Sequence, residues 1–551
     1  MPFANIRSLL KALTPRERRT FRDAGIICAI AVTLFGFHFF FSRTTATPIE
    51  GGSYVEGVID QPIAINPVIA DANEADQDLI RLLFAGLGTL AERIQPNDDH
   101  KTWNVHLKPD LVWSDGLPLT SDDILFTLET IQNPQTHSPL LSMWQGVAAE
   151  RLSALEVRFS LKAPYAFFEN NLRDFRIIPE HIFGTIPSAN LHLSTYNLEP
   201  VGSGPFQFEA YRKRRDGFIT EYTLAINPRF AGRPALIQTF TFRFYPTLEE
   251  ALAAFNRKEI HGLGGLDAHD TRQIKIGYAL SVSPMPRYYA IFLNPAVNEL
   301  LKEQEVREAL ARAIDRNRII DSALDDYASP QTGPLPPPFG SPPREDEYDQ
   351  PAAEKILEDA GWIKGTNGIR SKLIGKEEKE LRFELVVPRI SFLTNVAERI
   401  QADWRDIGVE TTLLMLSPAE IMDNLIKTRN YSLLLFGNIL HGHPDTFSFW
   451  HSTERFHPGL NLSLYENKNA DALLESIRRT FDLETQTKLL RDLETLVNAD
   501  RPAIFLFAPQ YLYIHPKSLG GVDATTPLPV AADRLNTVEQ WFLKTTRVFS
   551  R

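Results

Sequence analysis

The sequence has 551 residues, too many for one hydrophobic core, so roughly two to four lobes are expected. Hydrophobic residues at 43% and charged residues at 23% are ordinary for a folded protein. A formal net charge of −11 argues against nucleic acid as a partner, because a phosphate backbone requires a basic face.

In chain order, the first feature is Ala24 to Phe41, 18 residues without a formal charge, the minimum length for a membrane span. Lys11, Arg16, Arg18, Arg19 and Arg22 precede it, and Arg43 is the one basic residue close behind. The positive-inside rule then puts residues 1–23 in the cytoplasm as a basic leader and the main domain outside, at the cytoplasmic (inner) membrane. The alternative is a cleaved signal peptide. Thr44 and Ala46 make a poor small-residue cleavage site and the leader is long, which favours an uncleaved anchor over residues 24–41. The single cysteine, Cys28, lies within the apolar run, so the exported part has no disulfide.

Beyond the anchor, strand-like and helix-like segments alternate. Ser53 to Ile59 reads as a strand. Asp76 to Leu87 places Leu79, Leu83 and Leu87 on one helical face. Trp103 to Leu107 reads as a strand, Trp113-Ser114-Asp115-Gly116 as a tight turn, and Thr120 as the N-cap of a helix with Asp122 and Asp123 in its first turn. That acidic pair reads as capping rather than catalytic. The run Tyr211 to Gly217, basic and ending in Asp-Gly between strand-like stretches, reads as a solvated hairpin tip. Val306, Leu310, Ala313 and Ile314 mark a further helix, and the proline-rich run 333–344 marks an irregular crossing or surface loop. Gly361 and Gly408 suit helix C-terminal caps, residues 466–499 carry one or two helices, and Ile504 to Phe507 reads as a buried strand.

The stretch "HGHPDTFSFWH", residues 441–451, has the H-x-H-x-D opening of a dinuclear zinc site in His441, His443 and Asp445. The pattern fails at its next step, where Thr446 stands in place of a histidine, so a metal-dependent hydrolase is the least favoured reading. No G-x-S-x-G elbow and no phosphate loop is present, and neither catalysis nor a cofactor is expected.

Seven phrases in order resemble one family. They are "GGSYVEGVIDQPIAINPVIADANEADQDLIRLLFAGL", "TWNVHLKPDLVWSDGLPLTSDDILFTL", "PVGSGPFQFEAY", "AINPRFAGRPALIQTFTFRFYP", "VREALARAIDRNRII", "AAEKILEDAGW" and "RIQADWRDIGVETTLLML", and "PAIFLFAPQYLYIH" follows. Over about residues 51–535 the chain resembles the extracytoplasmic solute-binding proteins of family 5, the dipeptide and oligopeptide binders of ABC importers. The resemblance implies an α/β fold, a periplasmic-binding-protein type II-like two-lobed clamshell with an extra third lobe and mixed sheets, here behind one transmembrane helix. Residues 51–90, 200–288 and 509–551 would form the first lobe, 91–199 the extra lobe and 289–508 the opposing lobe.

The implied function is capture of peptides or related small ligands by lobe closure and delivery to the permease subunits of an ABC importer, by a chain expected to act as a monomer. The alternative is an anchored sensor or binder of a non-peptide ligand, anionic or metal-chelated. In the family, the loop here occupied by 437–445 lines the cleft. His441 stands where an acid pairs with the ligand amine, His443 replaces the acid before Pro444, and Asn438 replaces an aromatic. A histidine cannot supply that negative charge, so amine capture is weakened unless Asp445 swings in, and peptides read by their carboxylate become candidates. The expected contacts are His441, His443, Asp445, Asn438, Ile439, Trp144 and Tyr511, with Tyr513 near the hinge. Polar-wall roles for the histidines and a core role for Trp144 stay open. Gly202 and Gly204 are expected to be structural.

Overall fold

The computed structural model describes residues 14–342, 348–440 and 442–549. His441, one of the expected contacts, lies outside the described residues, as does part of the proline-rich run. Among the described residues a twelve-stranded mixed sheet runs through both main lobes, and a separate four-stranded antiparallel sheet forms the extra lobe.

The long strand Ala503–His515 ties the lobes together. Its first part pairs with Arg287–Leu293, through Phe507, and its second part pairs with Ala279–Pro284 and Gly262–Leu266. The change of partners falls at Pro509, which has no N–H to leave unpaired and so suits a point where the ladder switches. A second crossing runs from Ala279–Pro284 into Arg287–Leu293, which leaves two adjacent extended segments as the hinge between lobes.

On the first-lobe side, Ser53–Ile59 lies parallel to both Thr239–Tyr245 and Gly262–Leu266. The hairpin Phe206–Lys213 with Ile219–Ile226 completes that side, with its basic tip exposed as the sequence implied. The opposing lobe adds Leu433–Ile439, Arg382–Pro388 and Glu410–Leu416, the last two parallel. Its strands are buried on both faces: Ile291 and Leu293 join one apolar cluster while Tyr288, Ala290 and Phe292 join another. This is why "YYAIFL" is an unbroken apolar run rather than an alternating one.

The helices begin and end where capping chemistry places them. Thr120 caps Ser121–Gln132 in a capping box with Asp123, whose carboxylate also accepts the Glu180 N–H. The first-turn acids are thus structural. The apolar run around Val306 divides into Gln304–Arg312 and Arg316–Leu324, because Asp315 caps the second helix and interrupts the first. Residues 466–499 hold two helices, Lys468–Arg479 and Leu483–Asp500. The helix expected over 76–87 is Glu74–Leu83, followed by the short turn Leu87–Leu90. Gly202 and Gly204 lie against the end of Glu74–Leu83: a Cβ on either would meet the Leu83 or Leu82 carbonyl oxygen at 1.9 or 2.3 Å.

The amino-terminal helix Pro15–Arg43 is long and apolar enough to cross a membrane, and none of its residues is buried. It continues into the strand Thr44–Ile49, which pairs antiparallel with Lys544–Phe549. Phe549 packs edge-on to Phe40 and the Arg547 guanidinium sits 4.1 Å over Phe41. The carboxy-terminal end of the described chain therefore lies at the foot of the helix.

Candidate functional site: the cleft between the lobes

Where the two hinge strands cross, the three lobes surround a cavity of about 750 Å³. Glu74, Gln77, Gly265 and Tyr511 line it from the first lobe, Pro139 and Leu140 from the extra lobe, and Arg287, Tyr289 and Phe392 from the opposing lobe. The volume falls in the range of ordinary small-ligand sites, and the wall is mixed aromatic and charged.

The floor of the cavity is built on the strand Gly262–Leu266, "GLGGL". A Cβ on Gly264 would sit 1.9 Å from the Tyr511 hydroxyl, and one on Gly262 would sit 2.3 Å from that of Tyr54 and 2.5 Å from that of Tyr513. Only glycine lets these rings lie on the strand. Beneath them the buried Arg534 donates to Glu56 at 2.8 Å and to Asp78 at 2.8 Å, and its guanidinium lies 5.9 Å from the Tyr511 ring centre and 5.5 Å from that of Tyr513. Tyr513 donates to Glu56 at 2.8 Å. Burial opposes the Arg534 charge, but Asp78 and Glu56 outweigh it and hold its pKa well above the usual value. The network is a buried ion cluster beneath Tyr511 in which both carboxylates are paired and the Arg534 Nε is left without an acceptor.

Three charged residues line the cavity itself, Asp71, Glu74 and Arg287. Burial lowers the pKa of Arg287, and burial together with the neighbouring Asp78 raises that of Glu74. A Cβ on Gly265, which has φ +71°, would lie 3.8 Å from a Glu74 carboxylate oxygen, so the glycine leaves the space above that acid open.

The other expected contacts have separate places. Asn438 is buried and donates to the Tyr288 hydroxyl at 2.8 Å, facing the interior. Ile439 ends its strand opposite Arg287 and is partly exposed. Trp144 is 2% exposed and packs 4.4 Å from Phe175 in the aromatic core of the extra lobe, away from the cavity lining. Among the described residues, Tyr511 is the one expected contact that lines the cavity, and Tyr513 lies below it.

His443 and Asp445 build a seam between the opposing and extra lobes. The His443 ring stacks on Phe167 of the extra lobe at 4.8 Å and 13°. Asp445 receives Arg478 through Nε at 3.0 Å and Nη2 at 2.9 Å, the Tyr165 hydroxyl at 2.8 Å and the Phe447 N–H at 3.1 Å. Arg478 in turn lies 3.8 Å over the Phe447 ring. Burial and the Asp445 charge push the Tyr165 phenol pKa up, so it stays a donor. Asp445 is therefore occupied in closing the lobes and does not swing toward an amine in the cavity. Further along, the Ala166 N–H donates to the Arg478 carbonyl at 2.7 Å and His100 stacks on Phe481 at 3.8 Å. No cluster of three or more His, Cys, Asp or Glu among the described residues is placed to hold a metal.

Arg287, Glu74, Tyr289 and Phe392 were not singled out in the sequence. Arg287 carried a faint signal, a lone charge opening an otherwise apolar strand. Glu74 read only as a helix-start acid.

The model of the bacterial extracellular solute-binding proteins, family 5 Middle, matches residues 88–456. The oligopeptide-binding protein AppA of Bacillus subtilis is 27% identical over 526 residues, covering 91% of this chain and 93% of that protein. Its structure in complex with a nonapeptide aligns with a TM-score of 0.69 at 25% identity, over 90% of this chain and all of that one. The ABC transporter substrate-binding protein CtaP of Listeria monocytogenes aligns with a TM-score of 0.76 at 25% identity, over 90% of this chain and 99% of the other. The chain belongs to the family 5 bacterial extracellular solute-binding proteins.

Proposed function

We propose that this chain is a peptide-binding subunit of an ABC importer, held at the outer face of the cytoplasmic membrane by the helix Pro15–Arg43. The observation that carries the reading is the cavity of about 750 Å³ at the crossing of two hinge strands, walled by all three lobes. A ligand that touches all walls at once stabilises the closed arrangement over an open one, and a permease can read that difference. We take the crossings near residues 285 and 509 as the boundaries between first and opposing lobes, and the sheet Ala91–Pro96 to Glu156–Ser160 as the heart of the extra lobe. The binding step involves no bond making or breaking.

Anchoring is supported by the ribbon of Thr44–Ile49 with Lys544–Phe549, whose Phe549 rests on Phe40 of the helix. Cleavage near residue 46 would remove that partner. The test uses the full chain extracted from membranes and titrated calorimetrically with pooled tri- to pentapeptides. Saturable binding is expected, and no heat with any pool would contradict peptide carriage. An intact mass from washed membranes is expected, and a chain beginning near residue 46 would contradict the anchor.

A further inference from the structure

We infer that Arg287 is the receptor for a ligand carboxylate, so that the cleft selects peptides by a free carboxyl terminus. The inference rests on the peptide-binding reading above and deepens it.

Arg287 opens the strand Arg287–Leu293 at one of the two crossings and lines the cavity, half-buried. Its Nη2 reaches only the Pro529 carbonyl, at 3.4 Å, and its Nε is shielded from solvent with no acceptor. No carboxylate among the described residues lies within ion-pair distance of it. Unlike Arg534, whose Nε is also unmet but whose charge is paired with Glu56 and Asp78, Arg287 has no carboxylate partner among the described residues, and two other buried arginines are fully engaged. Arg370 is spent on the Ile407 and Trp362 carbonyls and on Glu358, and Arg429 on the carbonyls of Arg455, Ile426 and Gly459. The shielded Nε is out of a ligand's reach, but the same guanidinium borders the cavity with one long hydrogen bond and no ion pair among the described residues, an arrangement that an incoming anion improves.

The surroundings say what completes it. Asp71 and Glu74 line the same cavity but neither bridges to Arg287, so they do not consume the guanidinium. Asp445 is held by Arg478 and Tyr165 and is not free to meet an ammonium group. The cavity therefore offers an under-coordinated cation, while the acid of the 437–445 loop is already engaged. A carboxylate matches a guanidinium fork in shape and charge, and burial strengthens the pair. The rings of Tyr289, Phe392 and Tyr511 stand beside it to receive the side chain next to that carboxylate.

The test compares two synthetic pools of random tri- to pentapeptides, identical except that one ends in a free carboxylate and the other in a carboxamide. Retention by the full chain is read by native mass spectrometry for wild type, R287Q and R287K, with each variant's thermal midpoint measured without peptide. The expected result is free-acid binding roughly tenfold or more tighter than amide binding in wild type, erased in R287Q and partly kept in R287K. Equal binding of both pools by wild type overturns the carboxylate site and leaves peptide carriage standing. Discrimination that survives in R287Q does the same. Failure of both pools to bind overturns this inference together with the peptide reading. The wild-type comparison needs no variant, so a misfolded R287Q does not protect the proposal.

Discussion

Tyr165→Phe removes one hydroxyl, and that hydroxyl is a bond between lobes. It donates to Asp445 at 2.8 Å across the seam, while Asp445 keeps Arg478 and the Phe447 N–H whether or not Tyr165 is present. The variant therefore strands no charge. What is lost is a hydrogen bond to an ionised acceptor, about 1.5–3 kcal/mol in a buried setting, less the hydration that the freed carboxylate oxygen regains on opening. A net loss of about 1–2 kcal/mol moves the open-to-closed ratio by roughly 5- to 30-fold. Peptide affinity should weaken by no more than that factor, since only the closed state meets every wall. Single-molecule energy transfer reads the ratio directly, with dyes on cysteines replacing the exposed Leu193 and Leu483 in a Cys28→Ser background. An unchanged distribution, with affinity within twofold of the parent, would refute the view that this seam closes the lobes.

Other perturbations test the parts separately. Gly264→Ala should push Tyr511 off its strand and cost about 1–3 kcal/mol, lowering both thermal midpoint and peptide affinity, whereas Gly277→Ala, with open space around it, should change neither. Arg534→Met should cost about 3–5 kcal/mol by leaving Glu56 and Asp78 buried without their cation, and adding Glu56→Gln with Asp78→Asn should recover much of the loss in a denaturation series. Burial raises the Asp76 carboxyl to about 6, against the Ile63 and Ala64 N–H groups that favour its charge. The folded state thus holds that proton more tightly than the unfolded chain. Its contribution to stability falls as pH rises from about 4 to about 6 and then levels, by up to about 3 kcal/mol. Asp76→Asn should lack that slope in thermal midpoints measured from pH 4 to pH 7, and parallel profiles would contradict it.

Much of the architecture could be read in the sequence because local chemistry and tertiary structure agree there. Thr120, Gly361 and Gly408 bound their helices as expected, and Trp103, Val105 and Leu107 alternate inward on their strand. The strand Gly262–Leu266 had no such signal, since three of its five residues are glycines of low strand propensity. The glycines answer to Tyr54, Tyr511 and Tyr513, which lie far away in the sequence. Likewise only Ile504 to Phe507 read as strand, because Pro509 breaks the pattern at the very point where Ala503–His515 changes partners. The site was less legible. Tyr511 could be placed near the crossing from the order of phrases, but Asn438 points inward to Tyr288 and Trp144 fills an aromatic core. Arg287 and Glu74 gain their meaning only from the cavity they share.

The central claim is that this chain carries peptide between its lobes. Native mass spectrometry of the full chain from its own membranes, beside a denaturing run that identifies what is released, tests it most directly. A heterogeneous set of short peptide masses with free carboxyl termini is expected. A single metal complex or a non-peptide molecule seated in the cleft would contradict it.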